Sequence, residues 1–341
     1  MESALSGIGG EVVCFGEILL RLSPTAGASL RDAWQLDLHV GGAEANVAVA
    51  LANLGVSTRM VSSVPDSDLG QNAIRALRRE GVDCSGVRTG AGRMGVYYLS
   101  PATGPVGGKV LYDRAATSFA SCDMPDPAIL EGARHLHLSG ISLAVSEAAS
   151  RATREFARAA KERGLTISFD GNFRPSLWAL TERDPRAEIA ELVGMTDLFF
   201  GNHKDMALLL GRQFAADGEE RRREAALATL EAFPNLSAIA STARHVERDG
   251  SHRIVARIDT AATSVESEER VLTGIVDRIG TGDAFGAGVL SVWLEDPTDL
   301  KRAVESGMAL SALKHFTPGD FSRASRDELA SAMAGGVDVT R

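Results

Sequence analysis

Residues 277–288 combine closely spaced glycines with one acidic side chain at the start of an apolar segment. Gly280, Thr281 and Gly282 immediately precede that residue, Asp283. A glycine turn that opens a helix directs several backbone N–H groups outward, at the end where the helix dipole also favours an anion. The spacing therefore predicts an anion site with a carboxylate beside it. Such a site suits transfer of a phosphoryl group to a hydroxyl that Asp283 deprotonates.

The same pattern also has a purely structural interpretation, in which the glycines allow close helix packing and Asp283 caps the first turn. Two other nucleotide-binding motifs do not fit the chain. A dinucleotide fingerprint needs a third glycine where Phe285 stands, and a Walker A loop needs Ser or Thr after Gly108 and Lys109, where Val110 stands. The residues alone leave the capping and phosphoryl-transfer interpretations open.

Composition limits the class of protein and its partners. The chain has 341 residues, 44% hydrophobic and 24% charged, which suits one large domain with a smaller appendage. Its net charge of -9 argues against binding to nucleic acid or an anionic membrane, because both need a basic surface. Three scattered cysteines form no disulfide or metal pattern, and residues 1–10 lack the features of a secretory signal. We therefore expect a cytoplasmic protein whose partners are small molecules.

The elements that must position this chemistry follow an alternating pattern. Short β-like runs alternate with longer helical periodicities, which is typical of βαβ units and a mainly parallel sheet. The predicted strands are residues 12–15, 58–62, 135–138, 166–169, 197–200 and 238–241. The predicted helices are residues 45–54, 69–79, 147–163, 205–210 and 219–233. We expect a doubly wound α/β core whose ligands bind at the carboxyl ends of the strands.

Two stretches, residues 17–40 and 94–116, interrupt this alternation and have the pattern of short strands or hairpins. They are predicted to form a small β-strand lid over one end of the sheet. Residues 1–16, 41–93 and 117–341 then make up the α/β core that binds nucleotide and substrate.

Residues 277–285 resemble the second signature of the ribokinase-like (PfkB-type) carbohydrate kinases, Asp-Thr-x-Gly-Ala-Gly-Asp-x-Phe, which supplies an anion hole and a base. Gly41, Gly42 and Asn46 match the family's first, sugar-binding signature, Gly-Gly-x-x-x-Asn. Two motifs in the family's order are far more specific than either one. The chain departs from the family at Arg278, where Thr is usual, and at Thr281, where Ala is usual. The resemblance implies a ribokinase-like doubly wound sheet flanked by helices, and the use of ATP with Mg²⁺.

Four further segments, residues 112–115, 137–141, 169–178 and 312–320, resemble those of 2-keto-3-deoxygluconate kinases. The resemblance covers residues 12–320, nearly the whole chain. It implies ATP-dependent phosphorylation of the C6 hydroxyl of 2-keto-3-deoxy-D-gluconate, with 2-keto-3-deoxy-6-phosphogluconate as product.

The resemblance also implies roles for residues on the sugar side. Gly41, Gly42 and Asn46 would hold sugar hydroxyls, and Tyr97 and Tyr112 would contact the sugar backbone. Packing between lid and core is the alternative role for the tyrosines.

Two arginines are candidates for binding the carboxylate of an acid sugar. Arg114 and Arg174 carry planar, permanently charged donors that suit a carboxylate. A surface ion pair is the alternative for either residue.

The nucleotide side has fewer matches to the family. Asn202 and Asp205 stand where the family has Asn-x-x-Glu, so we expect Asn202 near the phosphates and Asp205 to act on Mg²⁺ through water. An ordinary helix cap is the alternative for Asn202. Further candidates for contact with ATP are Ser241, Arg244 and Lys314, besides Gly280 and Gly282 of the turn. Lys314 could equally supply a helix C-terminal charge.

Two other functions remain open from the sequence. One is a different kinase of the same fold, acting on fructose, ribose or a nucleoside. The other is a non-catalytic sugar-acid-binding protein. The sequence also leaves open the C4 epimer, a monovalent-cation requirement and a homo-oligomer formed through exposed lid edges.

Overall fold

The computed structural model describes residues 11–25, 28–100, 108–214 and 219–335. Residues 1–10, with the predicted absence of a signal segment, and parts of the predicted lid at 26–27 and 101–107 lie outside the described residues. The strands are β1 (Glu11–Phe15), β2 (Leu19–Pro24), β3 (Leu36–Gly41), β4 (Thr58–Pro65), β5 (Asp83–Gly90), β6 (Gly95–Ser100), β7 (Lys109–Asp113), β8 (Ala133–Ser139), β9 (Thr166–Asp170), β10 (Leu198–Phe200), β11 (Ala238–Val246), β12 (His252–Asp259), β13 (Ser264–Glu266) and β14 (Arg270–Leu272). The α-helices are α1 (Ala43–Asn53), α2 (Asp68–Arg79), α3 (Gly140–Val145), α4 (Glu147–Glu162), α5 (Pro175–Trp178), α6 (Pro185–Val193), α7 (His203–Leu210), α8 (Glu219–Ala232), α9 (Thr281–Trp293), α10 (Leu300–Lys314) and α11 (Arg326–Met333).

The main sheet has the strand order β13-β12-β11-β10-β9-β8-β1-β4-β5, and β14 also pairs with β12. All pairs from β11 across to β5 are parallel. The pairs that β12 makes with β11, β13 and β14 are antiparallel. The predicted mainly parallel α/β sheet is therefore confirmed, with an antiparallel edge that the sequence analysis did not include.

Helices cover both faces of the main sheet, as alternate residues of β1 show. Val12 and Cys14 belong to the core that includes α1, α9 and α10, whereas Val13 and Phe15 belong to the core that includes α4, α6 and α8. Parallel strands covered on both faces are apolar along their whole length. This double burial explains why most of the predicted strands are rich in apolar residues, and it confirms the doubly wound arrangement.

A second sheet of four strands has the order β3-β2-β6-β7. Strands β2 and β6 are parallel, and the other two pairs are antiparallel. One row of residues in register crosses all four strands: His39, Arg21, Tyr97 and Tyr112. Side chains paired across strands lie on the same face of a sheet. Because Arg21 is 2% and Tyr97 6% exposed, this face packs against the rest of the molecule.

No helix within the described ranges combines the length and the apolar composition needed to cross a bilayer.

Candidate active site

Helix α9 begins directly after Gly280, whose backbone is left-handed with φ 78° and ψ 2°. Glycine adopts this conformation without the strain of a side chain. A Cβ atom at position 280 would lie 2.0 Å from the backbone oxygen of Asp320, so the close approach of two chain segments also requires glycine. At Gly282 a Cβ would meet no protein atom within 4 Å. The turn is therefore held firmly on one side and open on the other, where a ligand can reach its N–H groups.

Asp283 lies in the first turn of α9 and is partly exposed. Burial of the carboxyl group raises the pKa of Asp283 to about 6, and the negative charge of Asp320 adds to the rise. A hydrogen bond from Asn46 and the charges of Arg174 and Lys314 lower the pKa. A carboxylate whose pKa lies slightly below neutral is ionised at neutral pH and still binds a proton well enough to act as a general base.

Asn46 brings the first motif to the second. It lies in α1, is 4% exposed, and donates a hydrogen bond of 2.6 Å from Nδ2 to Oδ2 of Asp283. Its own Oδ1 is buried without a hydrogen-bond partner among the described residues. Buried polar atoms are rarely left unpaired, so this acceptor suits a donor such as a sugar hydroxyl. The structure thus brings the two sequence motifs together.

The glycine pair before Asn46 allows close packing. Gly42 caps α1 with φ 138°, and a Cβ there would lie 2.2 Å from the backbone oxygen of Glu17. A Cβ at Gly41 would lie 2.2 Å from Oδ1 of Asp320. Both glycines therefore place α1 against its neighbours, and their contact with sugar hydroxyls stays a prediction.

Tyr97 and Tyr112 lie side by side on the inner face of the second sheet, with ring centroids 6.1 Å apart. The Tyr97 hydroxyl donates a hydrogen bond to Asp320. Burial and the nearby Asp320 carboxylate raise the pKa of Tyr97, which keeps its hydroxyl protonated. Asp320 is 2% exposed and was not among the predicted site residues, although it belongs to one of the segments that resemble the family.

Arg114 is 8% exposed and pairs with a buried carboxylate, Glu17. Its Nε donates to Oε2 of Glu17 at 2.9 Å, and Oε1 of Glu17 accepts from the Thr117 hydroxyl at 2.7 Å. The positive charge of Arg114 is thus already compensated. A substrate carboxylate would share this guanidinium with Glu17, and the predicted contact stays a prediction.

Arg174 presents a different environment, because it is exposed and its Nε donates to Oδ1 of Asn172 at 3.0 Å. It forms no ion pair with a carboxylate in the part of the chain that the structure describes. Its charge nevertheless lowers the pKa of Asp283 and of the neighbouring Asp170 and Asp205. The guanidinium therefore lies close to the candidate base and has donors free for an anion.

Asn202 and Asp205 form a capping box at the start of α7. Oδ1 of Asn202 accepts from the N–H of Lys204 at 2.8 Å, and Oδ2 of Asp205 accepts from the N–H of Asn202 at 2.9 Å. Oδ1 of Asp205 accepts from the N–H of Phe173 at 3.2 Å. The structure thus shows the helix cap that the sequence analysis left as the alternative. The action of Asp205 on Mg²⁺ through water stays a prediction.

Asp170, at the carboxyl end of β9, lies near the candidate site residues but was not among those predicted from the sequence. Burial raises the pKa of Asp170 well above its usual range, and the charges of Asp283 and Asp205 raise it further. Its position could have been found, because ligands in such sheets bind where parallel strands end. Within the described ranges, no three His, Cys, Asp or Glu side chains are arranged to hold a metal ion by themselves.

Glu44, in the first motif, was also missed. It is 1% exposed and accepts hydrogen bonds from the N–H of Ser139 at 3.1 Å and the hydroxyl of Ser142 at 2.9 Å. Burial raises the pKa of Glu44 to about 8, so its carboxyl group is largely protonated at neutral pH. It joins α1 to the end of β8, next to the carboxylates of the site.

The predicted nucleotide-side residues occupy two environments. Ser241 is half-buried in β11, and Arg244 is exposed in the same strand. Although much of its side chain is exposed, protein around the guanidinium removes some of its water and, with the charge of Arg278, lowers the pKa of Arg244. Two arginines therefore lie near each other beside the turn that precedes α9. Lys314 is fully buried and donates to the backbone oxygen of Thr317 at 2.8 Å. Its charge lies beneath the turn, and its contact with a nucleotide stays a prediction.

Comparison with known proteins agrees with this geometry. Residues 10–323 match the model of a family described as pfkB family carbohydrate kinase. A 2-dehydro-3-deoxygalactonokinase of Haloferax volcanii is 32% identical over 328 residues, 96% of this chain and 97% of that protein. An ATP-dependent ribose-1-phosphate kinase of Halopiger xanaduensis is 31% identical over 303 residues, 86% of each chain. The crystal structure of 2-dehydro-3-deoxygluconokinase from Thermotoga maritima superimposes with a TM-score of 0.90 at 30% identity, covering 96% of this chain and 100% of that one. The ribokinase-like fold predicted from the sequence is thereby confirmed.

Proposed function

The chain belongs to the pfkB family of carbohydrate kinases, and we propose that it transfers the γ-phosphoryl group of ATP to the C6 hydroxyl of 2-keto-3-deoxy-D-gluconate. The product is 2-keto-3-deoxy-6-phosphogluconate. The observation that carries this proposal is the position of Asp283, which Asn46 orients at 2.6 Å beside the open side of the turn at Gly282. Relatives described as kinases of both 2-dehydro-3-deoxy acids support the substrate class.

Asp283 acts as the general base. With a pKa of about 6 it is ionised at neutral pH and accepts the proton of the C6 hydroxyl as the phosphoryl group arrives. The hydrogen bond from Asn46 fixes the orientation of the carboxylate, so that one oxygen remains directed at the hydroxyl.

The turn of residues 280–283 stabilises the transferring group. Its backbone N–H groups and the dipole of α9 favour the negative charge that spreads over the phosphoryl oxygens. A side chain at position 282 would stand in the open space through which such a group approaches, which accounts for glycine there.

The division into core and lid is part of the proposal. Residues 17–40 and 94–116 act as a lid that carries Tyr97 and Tyr112 over the sugar. Closure of the lid excludes water, which would otherwise accept the phosphoryl group.

Arg174 binds the carboxylate of the acid sugar. Its exposed guanidinium lies close to Asp283 and has no carboxylate partner in the described part of the chain. Arg114 contributes through the donors that Glu17 does not occupy. An arginine that can bind a carboxylate in a bidentate manner favours a sugar acid over a neutral sugar.

Mg²⁺ prefers oxygen ligands and keeps several of its waters, so the carboxylates of Asp170 and Asp205 would act on it through water while Asp205 keeps its backbone hydrogen bonds. When bound with ATP, Mg²⁺ neutralises part of the charge on the phosphates. The chain's own contribution is to hold these side chains at the carboxyl ends of β9 and β10.

A coupled assay of ADP formation tests the proposal. The acceptors are 2-keto-3-deoxygluconate, its galactonate epimer, fructose, ribose, ribose 1-phosphate and a nucleoside. We expect the two acid sugars to give the highest kcat/KM. Preference for a neutral sugar would show that the proposed substrate is wrong but that the protein is a kinase. Tight binding of an acid sugar without turnover would favour a non-catalytic binding protein.

A further inference from the structure

Arg21 lies in β2 with only 2% of its surface exposed. It belongs to the inward row of the second sheet, between His39 on β3 and Tyr97 on β6. A charged side chain is almost never buried to this extent unless it is paired. Arg21 therefore needs partners, and they come from outside its own sheet.

Two carboxylates of the α/β core supply that pairing. Nη2 of Arg21 lies 2.7 Å from Oδ2 of Asp277, and Nε lies 3.2 Å from Oδ2 of Asp320. Asp277 precedes α9, whereas Asp320 follows α10. A planar guanidinium has several N–H donors and can bind two carboxylates at once. The compact ammonium group of lysine does this less well. One residue of the second sheet thus bridges two separate segments of the core.

Those two segments shape the phosphate-binding turn. Oδ1 of Asp277 accepts from the N–H of Ile279 at 3.0 Å, and its Oδ2 accepts from the N–H of Gly319 at 3.0 Å. The backbone oxygen of Asp320 packs against Gly280, where a Cβ would approach it to 2.0 Å. A shift of either aspartate would therefore move the N–H groups at the start of α9.

Asp320 also reaches the sugar side. Its Oδ1 accepts a hydrogen bond from the Tyr97 hydroxyl. The same oxygen would lie only 2.2 Å from a Cβ atom at Gly41, so it packs directly against that glycine. The same carboxyl group thus contacts Arg21 and Tyr97 of the second sheet as well as the first sequence motif. A movement of the second sheet would therefore reach the turn through Asp320.

The pairing is incomplete in this structure. Three buried atoms, Nε and Nη1 of Arg21 and Oδ2 of Asp320, form no hydrogen bond with any described residue. Nε and Oδ2 lie 3.2 Å apart, but they are not aligned as donor and acceptor. Lys314 adds a second positive charge nearby, but its ammonium donates to the backbone oxygen of Thr317. Unpaired buried donors and acceptors are unfavourable, so a small movement that completes these bonds is favoured.

We propose that Arg21 is a positioning residue that couples sugar binding under the second sheet to the geometry of the phosphate-binding turn, through Asp277 and Asp320. This inference rests on the proposed function as a sugar kinase. Sugar that draws the second sheet inward brings the guanidinium fully onto both carboxylates. The turn then takes up the arrangement that binds the phosphates, so each substrate binds more tightly when the other is present.

The test is a thermodynamic coupling measurement by calorimetry. The dissociation constant of the acid sugar is measured with and without a non-hydrolysable ATP analogue and Mg²⁺. For the wild-type chain we expect the analogue to tighten sugar binding roughly 5- to 150-fold, the usual range of coupling between sites. For Arg21→Met we expect this factor to fall close to one, while each ligand alone still binds. A wild-type factor of one, or an unchanged factor in Arg21→Met, would overturn the inference.

Two further variants separate coupling from stability. Arg59 is a matched control, because it also bridges two carboxylates, Glu11 and Asp83, each at 2.8 Å, at the amino ends of the strands. Arg59→Met should lower the melting temperature and leave the coupling factor unchanged. If Arg21→Met does not fold, Arg21→Lys is used for the same measurement. It keeps the positive charge but cannot contact Asp277 and Asp320 at the same time. A wild-type coupling factor in folded Arg21→Lys would then overturn the inference.

Failure of the proposed function can be distinguished from failure of the role proposed for Arg21. If the wild-type chain phosphorylates another sugar, the proposed substrate is wrong, and the coupling is measured with that sugar instead. If the sugar assignment holds and Arg21→Met keeps full coupling, only the role of Arg21 is lost.

Discussion

Asn46 and Asp283 are 237 positions apart in the sequence, and their side chains share a hydrogen bond of 2.6 Å. Asn46 lies near the start of α1 and Asp283 near the start of α9, so the bond joins two helix N-termini. The chain brings them together because both helices belong to the same apolar core of the main sheet. The amide thereby orients a carboxylate whose pKa is raised by burial.

Replacement of the candidate base tests its role directly. Asp283→Asn should lower kcat by ~10²-fold or more, the usual span for loss of a general base, and leave binding of both substrates largely intact. Steady-state kinetics and calorimetry of the same preparation measure the two effects. Asp184→Asn is the control, because Asp184 also lies at the start of a helix, where its Oδ1 accepts the N–H of Arg186, but it belongs to no part of the site. Near-normal turnover of Asp283→Asn would remove Asp283 from the mechanism.

The pH dependence of kcat/KM should show an acidic limb with a midpoint near the Asp283 pKa of about 6. Activity falls as the pH decreases through this value, because the protonated carboxyl group cannot accept a proton. The hydrogen bond from Asn46 lowers this pKa, so Asn46→Leu should move the midpoint to higher pH. Loss of a charge-assisted hydrogen bond of ordinary strength should raise the pKa, and with it the midpoint, by about one unit. A midpoint that moves to lower pH in Asn46→Leu would contradict this account.

Much of this arrangement could be predicted because it depends on local pattern. Most of the parallel strands are rich in apolar residues, and the two glycine motifs show the starts of α1 and α9. The parallel edge strand β5 was missed, because its sequence has few apolar residues. The antiparallel strands β12, β13 and β14 were missed, because β12 mixes buried and exposed residues and the other two have three residues each. Such short edge strands depend on pairing across the chain more than on their own propensity.

Side-chain pairing was harder to predict than the elements. Arg114 fits a substrate carboxylate by residue type, yet the structure pairs it with Glu17, which lies 97 positions away in an apolar stretch. Asp205 fits a metal site by motif, yet its oxygens accept backbone N–H groups. Residue types show which charges are available, and only the fold shows which of them are already compensated.

Acid stability should depend on two buried histidines of β8. Nδ1 and Nε2 of His135 lie 2.7 Å and 2.8 Å from the hydroxyls of Thr166 and Ser168, and Nδ1 of His137 lies 2.8 Å from the same Ser168 hydroxyl. Burial lowers the pKa of His137 to about 3 and holds the pKa of His135 well below 6.5. The unfolded chain therefore binds more protons below about pH 6.5, and the free energy of unfolding falls as the pH decreases.

Replacement of His137 measures how much this one histidine contributes to the pH dependence of the free energy of unfolding. His137→Phe keeps an aromatic ring against Phe200 and removes one titrating group. Between pH 6 and pH 4 the variant should lose about 1.4 kcal/mol less unfolding free energy per pH unit than the wild type. Denaturant titrations at several pH values measure the two slopes. Parallel slopes would show that His137 takes up a proton in the folded protein.

Arg174→Ala should weaken binding of the acid sugar more than binding of an analogue whose carboxylate is replaced by a neutral group. The reason is that Arg174 forms no ion pair with a carboxylate among the described residues, so its guanidinium is available to the substrate. Calorimetry with the two ligands measures the difference. Arg151→Ala serves as control, because Arg151 is also exposed but lies on α4. Equal losses for both ligands would exclude a carboxylate role for Arg174.

The two glycines of the turn should respond differently to a single added methyl group. Gly280→Ala places a Cβ 2.0 Å from the backbone oxygen of Asp320 in a left-handed conformation, which alone costs about 1–2 kcal/mol. It should lower the melting temperature and activity together. Gly282→Ala places its methyl group in open space, so it should melt like the wild type yet bind ATP more weakly or turn over more slowly. Thermal melts and kinetics on the same samples separate the two effects. Full activity of Gly282→Ala would mean that no phosphate approaches the open side of the turn, because a methyl group there would meet it first.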